Sequence, residues 1–440
     1  MAQTSTPAPA ACNRRAKPLL LVLALLLMSG LLVACGGDSG KPTLTWYINP
    51  DPSEPDDFEG AFGQVGIAER CSTDQYTIET QQLPGDATQQ RIQLARRLSA
   101  EATGIDLMSL DPVFTGEFAN ADFLAPIPAD QAQQLEGNAL QGAVDAATWE
   151  GKLAVAPLWA NTQVLWFRKS FVEKAGLDMS QPVTWDQVIE AASDNGGTVG
   201  VQANKYEGYV VWINALIEGA GGHIVTNTAE GVDAKIEIGS EAGKEAAAVI
   251  DELAHSEAAQ ADLSVSNEGT VLGPFAGDEG AFQVNWTFIY ANYKPDEATF
   301  EDLGWTRYPQ TVRGEESRPP VGGINIGVNV ASTHQPEALD ALNCITSLEN
   351  QVQYAIETGN MPANSAAYDD EELKKAYPSD LLQLFRDSID TGGPRPVSPY
   401  YSDISSAVQS EWHPAASVTP STPQQSATFI ENVLQGNTLL

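Results

Sequence analysis

Basic residues are scarce in this chain. Only 23 Lys and Arg stand against 58 Asp and Glu in 440 residues, a net charge of −35. Such a surface repels phosphate backbones and anionic lipid, so no nucleic-acid partner is expected. Histidine is scarcer still: His223, His255, His334 and His413 lie far apart, with no i to i+4 pair and no accompanying cysteine. No metal site follows from them. There is no Gly-x-Ser-x-Gly elbow, no dinucleotide glycine fingerprint and no phosphate loop. The nearest approach to a phosphate loop, Gly239 to Lys244, is followed by Glu245 where Ser or Thr is required. No cofactor is expected. Paired carboxylates are harder to set aside, because a secreted glycoside hydrolase needs only two and 58 acids supply many chance pairs. That enzyme class stands as the alternative to a non-catalytic reading.

Long apolar runs are also lacking, with one short exception near the start. Arg14, Arg15 and Lys17 precede Leu19 to Leu27, and the stretch closes on Leu32-Val33-Ala34-Cys35-Gly36. A charged flank, a short apolar core and small residues before a break are the parts of an export signal, and the core is too short for a comfortable membrane span. The break resembles a bacterial lipobox. That resemblance implies a signal peptide over residues 1 to 34 and lipid attached at Cys35, with residues 35 to 40 as a flexible tether. The soluble part would then sit on the outer face of the cell membrane. The plainer reading is an ordinary signal peptide with a chance cysteine.

Four cysteines occur in all. Cys12 leaves with the signal and Cys35 is the anchor candidate, so Cys71 and Cys344 remain in a compartment where disulfides persist. If they are bonded, the segment near residue 344 folds back onto the first domain; two unrelated buried thiols are the alternative. About 400 mature residues exceed one ordinary core, so two domains are expected.

Along the mature chain, strand and helix patterns alternate. Leu44, Trp46 and Ile48 alternate with Thr45 and Tyr47, a strand period. A helix-like stretch runs from about Phe58 to Glu69, and a second strand takes Tyr76 to Thr80. A helix is expected over Thr88 to Glu101 and a third strand over Ile105 to Leu110. The order indicates a mostly parallel sheet covered on both faces. Leu153 to Arg168 is apolar but interrupted by Pro157 and Asn161, which predicts two strands leaving one lobe and entering another, with Pro157 to Thr162 as the crossing. Thr184 to Gln187 reads as a capping box opening a helix to about Asn195. Further helices fit Tyr206 to Ala220, Glu241 to Ala254, Glu268 to Asp278 and Pro336 to Leu348. Strands fit Ala281 to Val284 and Ile324 to Val330. Val418 to Gln425 reads as a loop before a last helix, Ser426 to Leu434.

Six segments then carry a family resemblance: Asp106 to Asp111, Ala160 to Arg168, Asn267 to Thr270, Val284 to Trp286, Gly322 to Ile324, and Arg395 to Tyr400. Each is weak alone. In this order they resemble the trehalose-binding lipoproteins of actinobacterial ABC sugar importers, members of the maltose-binding-like extracellular solute-binding family 1. The resemblance runs over nearly the whole mature chain. It implies an α/β, two-lobed, periplasmic-binding-protein-like fold of type II with a multi-strand hinge. The first lobe would comprise residues 41 to 157 plus 320 to 361 and the second 158 to 319 plus 362 to 440. It implies a monomeric receptor that is not an enzyme, with a disaccharide ligand, most simply trehalose, and ABC permease subunits as partners. A maltose-type sugar, a peptide or a metal chelate is the alternative ligand.

Carried over residue by residue, the resemblance makes Asp111, Asn161, Glu268, Trp286 and Arg395 the sugar contacts, with the backbone of Gly322, Gly323 and Ile324 beside them. Glu59 stands where relatives place a further acid, across an insertion. The chemistry agrees: a carboxylate accepts two vicinal hydroxyls, an amide donates and accepts, a guanidinium donates in a fork, and an indole offers a flat face to a pyranose. Each also has a plainer reading. Asp111 before Pro112 is a turn residue, Glu268 complements a helix start, Trp286 is core, and Arg395 among prolines is a solvated loop charge. The stretch from Lys294 to Pro320 is shorter than in those relatives.

Overall fold

The computed structural model describes residues 40–51 and 60–440; the segment expected to be an export signal, with Cys12 and Cys35, and Glu59 lie outside the described residues. Nine strands of one sheet organise the rest. Numbered in chain order they are β1 (Thr43–Ile48), β2 (Thr77–Gln82), β3 (Leu107–Leu110), β4 (Ala156–Arg168), β5 (Thr198–Gly200), β6 (Gly280–Trp286), β7 (Leu303–Thr306), β8 (Pro320–Val328) and β9 (Gly393–Pro394). The order across the sheet is β2-β1-β3-β8-β4-β6-β5, with β7 on β4 and β9 on β8. The first three strands are parallel, as expected for strands alternating with helices; β8 is antiparallel to both β3 and β4.

β4 makes the architecture two-lobed. Six of its first seven residues pair with β8, and from Gln163 to Phe167 its partner is β6. One 13-residue strand therefore belongs to both halves of the sheet, where the sequence predicted two strands with Pro157 to Thr162 as the crossing between them. Proline cannot donate to a ladder. Here the ladder yields instead: the register slips between Ile324 and Asn325, leaving Leu158 as an extra residue on β4, and Pro157 sits opposite Asn325 at that bulge.

The apolar residues collect accordingly. Leu44, Trp46, Ile326 and Leu342 pack on one face of the first half-sheet, and Leu110, Phe118 and Val155 on its other face. Trp185, Trp212, Ile250 and Phe282 form the core of the second half, with Ile404, Trp412 and Ile430 from the C-terminal helices. A fourth cluster, Trp166, Phe275, Tyr290, Leu381 and Phe385, covers the opposite face around the crossing. Cys71 and Cys344 are joined by a disulfide across 273 residues, tying helix Gly63–Cys71 to helix Gln335–Ile345.

Helix ends follow local chemistry. Thr184 and Gln187 form the expected capping box. The last helix starts four residues early, at Thr422, because Pro423 is tolerated in a first turn. Between Asn267 and Asp278 only Leu272–Ala276 is α-helical. The Asn267 side chain accepts from the backbone N–H of Gly269 and Thr270 and makes a turn there, so Glu268 is presented on a loop and not at a helix start.

Candidate functional site

The two halves enclose a cavity of about 470 Å³ beside the crossing strands. Asn49, Asp51, Asp86, Gln90 and Asp111 line it from the first half; Tyr206, Glu207, Gly208 and Glu268 line it from the second. Trp159, Asn161, Trp286 and Gly322 to Ile324 form its wall at the crossing. All eight contacts the resemblance implied within the described residues thus border one space. Five carboxylates face a single cation, Arg395, among the described lining residues, and none of these is a histidine, serine or cysteine. No group of His, Cys, Asp or Glu among the described residues is placed to hold a metal ion.

Arg395 follows β9, which hydrogen-bonds to the start of β8. Its side chain is 2% exposed, donating through Nη1 to Glu207 Oε1 at 2.7 Å and through Nη2 to Asp111 Oδ1 at 3.1 Å. The solvated-loop reading of Arg395 is therefore corrected: it is a buried tie between carboxylates of opposite halves. Glu207 also accepts from the hydroxyls of Tyr401 and Ser405. Burial alone would push the guanidinium down, but the charges of Asp111 and Glu207 hold it above its ordinary value, so it stays protonated. Burial raises Glu207 and the Arg395 charge only partly offsets this. Asp111 takes the turn role expected of it, since Oδ1 also accepts from Val113 N–H and caps the turn Pro112–Phe114, while the residue borders the cavity. Its Oδ2 has no protein partner among the described residues.

Glu268 is held differently. Tyr206 Oη donates to its Oε2 at 2.7 Å, and Trp286 lines the same wall of the cavity. Burial, with a small contribution from Asp86 across the cavity, raises the pKa of Glu268 against that bond.

Trp286 ends β6 and lies against β8. A Cβ at Gly322 would come within 2.9 Å of its Cη2, so the bare backbone there lets the indole lie close to the strand. Gly323 has φ +138, and a Cβ would stand 2.2 Å from the Trp159 carbonyl oxygen, so only glycine fits. Asn161 needs a correction. Its Oδ1 accepts from Thr162 N–H, Thr287 N–H and Thr287 Oγ1, and its Nδ2 donates to Asn360. The oxygen is spent on pinning the crossing, which leaves only an N–H for a ligand.

Several lining residues escaped the sequence reading. Asp51 accepts from Gln64 and from the hydroxyl of Tyr354, and burial raises its pKa. Trp159 stacks on Tyr354 with ring centroids 6.2 Å apart. Glu207 and Tyr206 open a helix, where an acid reads as a dipole partner.

Fold and cavity define a two-lobed binding protein with a hinge of the type-II, maltose-binding-like kind. The sequence profile of the bacterial extracellular solute-binding proteins matches residues 68–352, and the chain belongs to that family of non-catalytic binders. A probable ABC transporter-binding protein of Deinococcus radiodurans is 24% identical over 332 residues, 71% of this chain and 76% of its own. Among solved structures, the maltose-bound MalE3 of T. maritima is similar with a TM-score of 0.77 at 22% identity, covering 90% of this chain and all of its own. The GacH receptor of Streptomyces glaucescens, solved unliganded and with acarbose, gives 0.72 at 18% identity, covering 90% and 98%. The Thermus thermophilus maltotriose-binding protein gives 0.67 at 17%, covering 89% and 99%.

Proposed function

We propose that this protein is the lipid-anchored receptor of an ABC importer, capturing a neutral disaccharide, trehalose first, between its lobes and delivering it to the permease. The observation that carries the reading is the pairing of acceptors and flat faces in one cavity: Asp111 and Asp86 on one side, Glu268 on the other, and Trp286 and Trp159 between them. Carboxylates accept sugar hydroxyls in charge-assisted bonds, and indoles cover C–H faces. The volume lies within the roughly 300–1,000 Å³ of small-ligand pockets. Five carboxylates against one neutralised guanidinium disfavour an anionic ligand. Relatives of the same fold bind maltose, maltotriose and acarbose, which supports a glucoside.

In this proposal the first lobe comprises residues 41–157 plus 320–361 and the second 158–319 plus 362–440. Sugar favours the closed arrangement because only there do both lobes touch it. Cys35 would carry the lipid, holding a monomer at the outer face of the membrane. Calorimetric titration of residues 41–440 with trehalose, maltose, sucrose and glucose tests the reading. Saturable binding of one disaccharide, recovered unchanged by thin-layer chromatography, is expected; no binding of any of the four, or release of glucose, overturns it.

A further inference from the structure

The helix that opens with Glu207 carries a glycine at its second position, inside the cavity wall. Glycine in a helix costs about 1 kcal/mol relative to alanine, so its place there needs a packing reason. Positive φ is not that reason, for Gly208 is absent from the left-handed positions. Space is. Tyr206, extended at φ −161 and ψ −177 just before the helix, folds its ring back over the first turn. A Cβ on residue 208 would stand 2.2 Å from Tyr206 Oη, 2.3 Å from its Cζ and 2.9 Å from Glu268 Oε1. The smallest possible side chain would therefore displace the hydroxyl that donates to Glu268 at 2.7 Å.

We propose that Gly208 is a positioning residue for sugar capture: it is the seat on which the Tyr206 ring rests, and through that ring it fixes the Glu268 carboxylate toward the ligand. Gly208 thus acts through Tyr206 and Glu268 and needs no contact of its own. With Tyr206 holding Oε2, the carboxylate cannot rotate freely, and its orientation in the cavity wall is set before sugar arrives. The binding consequence rests on the sugar-receptor reading; the seat itself does not.

The test is a double-mutant cycle on residues 41–440 with the sugar that the wild type binds. Gly208→Ala is expected to weaken binding at least tenfold. On a Tyr206→Ala background the same substitution is expected to cost at least threefold less than it does in the wild type, because the ring it displaces is gone and only the 2.9 Å approach to Glu268 Oε1 remains. Gly208→Ala binding as tightly as wild type, or losses that simply multiply in the double variant, overturns the proposal. A ligand-free arm keeps the two readings apart. In tyrosine labelled with ¹³C at Cζ, the Tyr206 resonance is identified by its loss in Tyr206→Phe, and it must move in Gly208→Ala; an unmoved resonance overturns the seat. A wild type that binds no sugar removes the receptor reading and leaves this arm to decide. Should Gly208→Ala fail to fold, Tyr206→Phe carries the binding arm, with a loss of at least threefold expected and unchanged affinity overturning it.

Discussion

The cavity has two polar ends, and they are built on opposite plans. At one, Arg395 joins Asp111 and Glu207, and Tyr401 and Ser405 complete the shell of Glu207. At the other, Glu268 accepts from Tyr206, Asp86 stands across the space, and among the described lining residues no cation other than Arg395 is present. The first end is largely paired: it ties the halves together near the crossing and leaves Asp111 Oδ2 and Arg395 Nε without a protein partner among the described residues. The second end is short of donors, and a sugar's hydroxyls supply donors. A buried polar network that is mostly satisfied by its own groups holds structure, whereas one short of donors invites a ligand.

That contrast can be broken from the closed end first. Arg395→Ala leaves two carboxylates facing each other without their cation, and unfolding in denaturant should show a loss of about 3–5 kcal/mol. Asp111→Asn keeps the shape but weakens one charge-assisted bond; a loss of about 1.5–3 kcal/mol is expected in the same measurement. The open end should behave the other way. Glu268→Gln should weaken sugar binding at least tenfold, about 1.4 kcal/mol, while its unfolding midpoint stays close to wild type.

The smallest effect is on pH dependence. Burial raises Glu268 above its unfolded value, so the folded state holds the proton longer than the unfolded chain does. The stability this contributes is fully present below about pH 4.3, the ordinary glutamate value, and is lost as pH rises through the folded value. Unfolding midpoints taken from pH 4 to 7 should therefore fall more in wild type than in Glu268→Gln; parallel curves would contradict the assignment.

Much of this was legible in the sequence, and the exceptions have physical reasons. Alternation in Leu44 to Ile48 and the Thr184 capping box depend on neighbours a few residues away, and both elements formed where local pattern placed them. Pro157 misled because the slip that accommodates it lies on another strand, at Ile324 and Asn325. The helix expected from Glu268 failed because Asn267 binds the backbone ahead of it, a competition that helical spacing does not reveal. Site residues recognised by family resemblance arrived together in the cavity. Glu207 did not announce itself, since a helix-opening acid is usually solvated and its partner Arg395 lies 188 residues away.

The most direct measurement is a calorimetric titration of wild type and Trp286→Ala with trehalose, side by side. The account predicts one site per chain in the wild type and at least tenfold weaker binding in the variant, with the fold retained. Equal affinity in both, or binding by neither, would contradict a sugar held against Trp286 between the two halves.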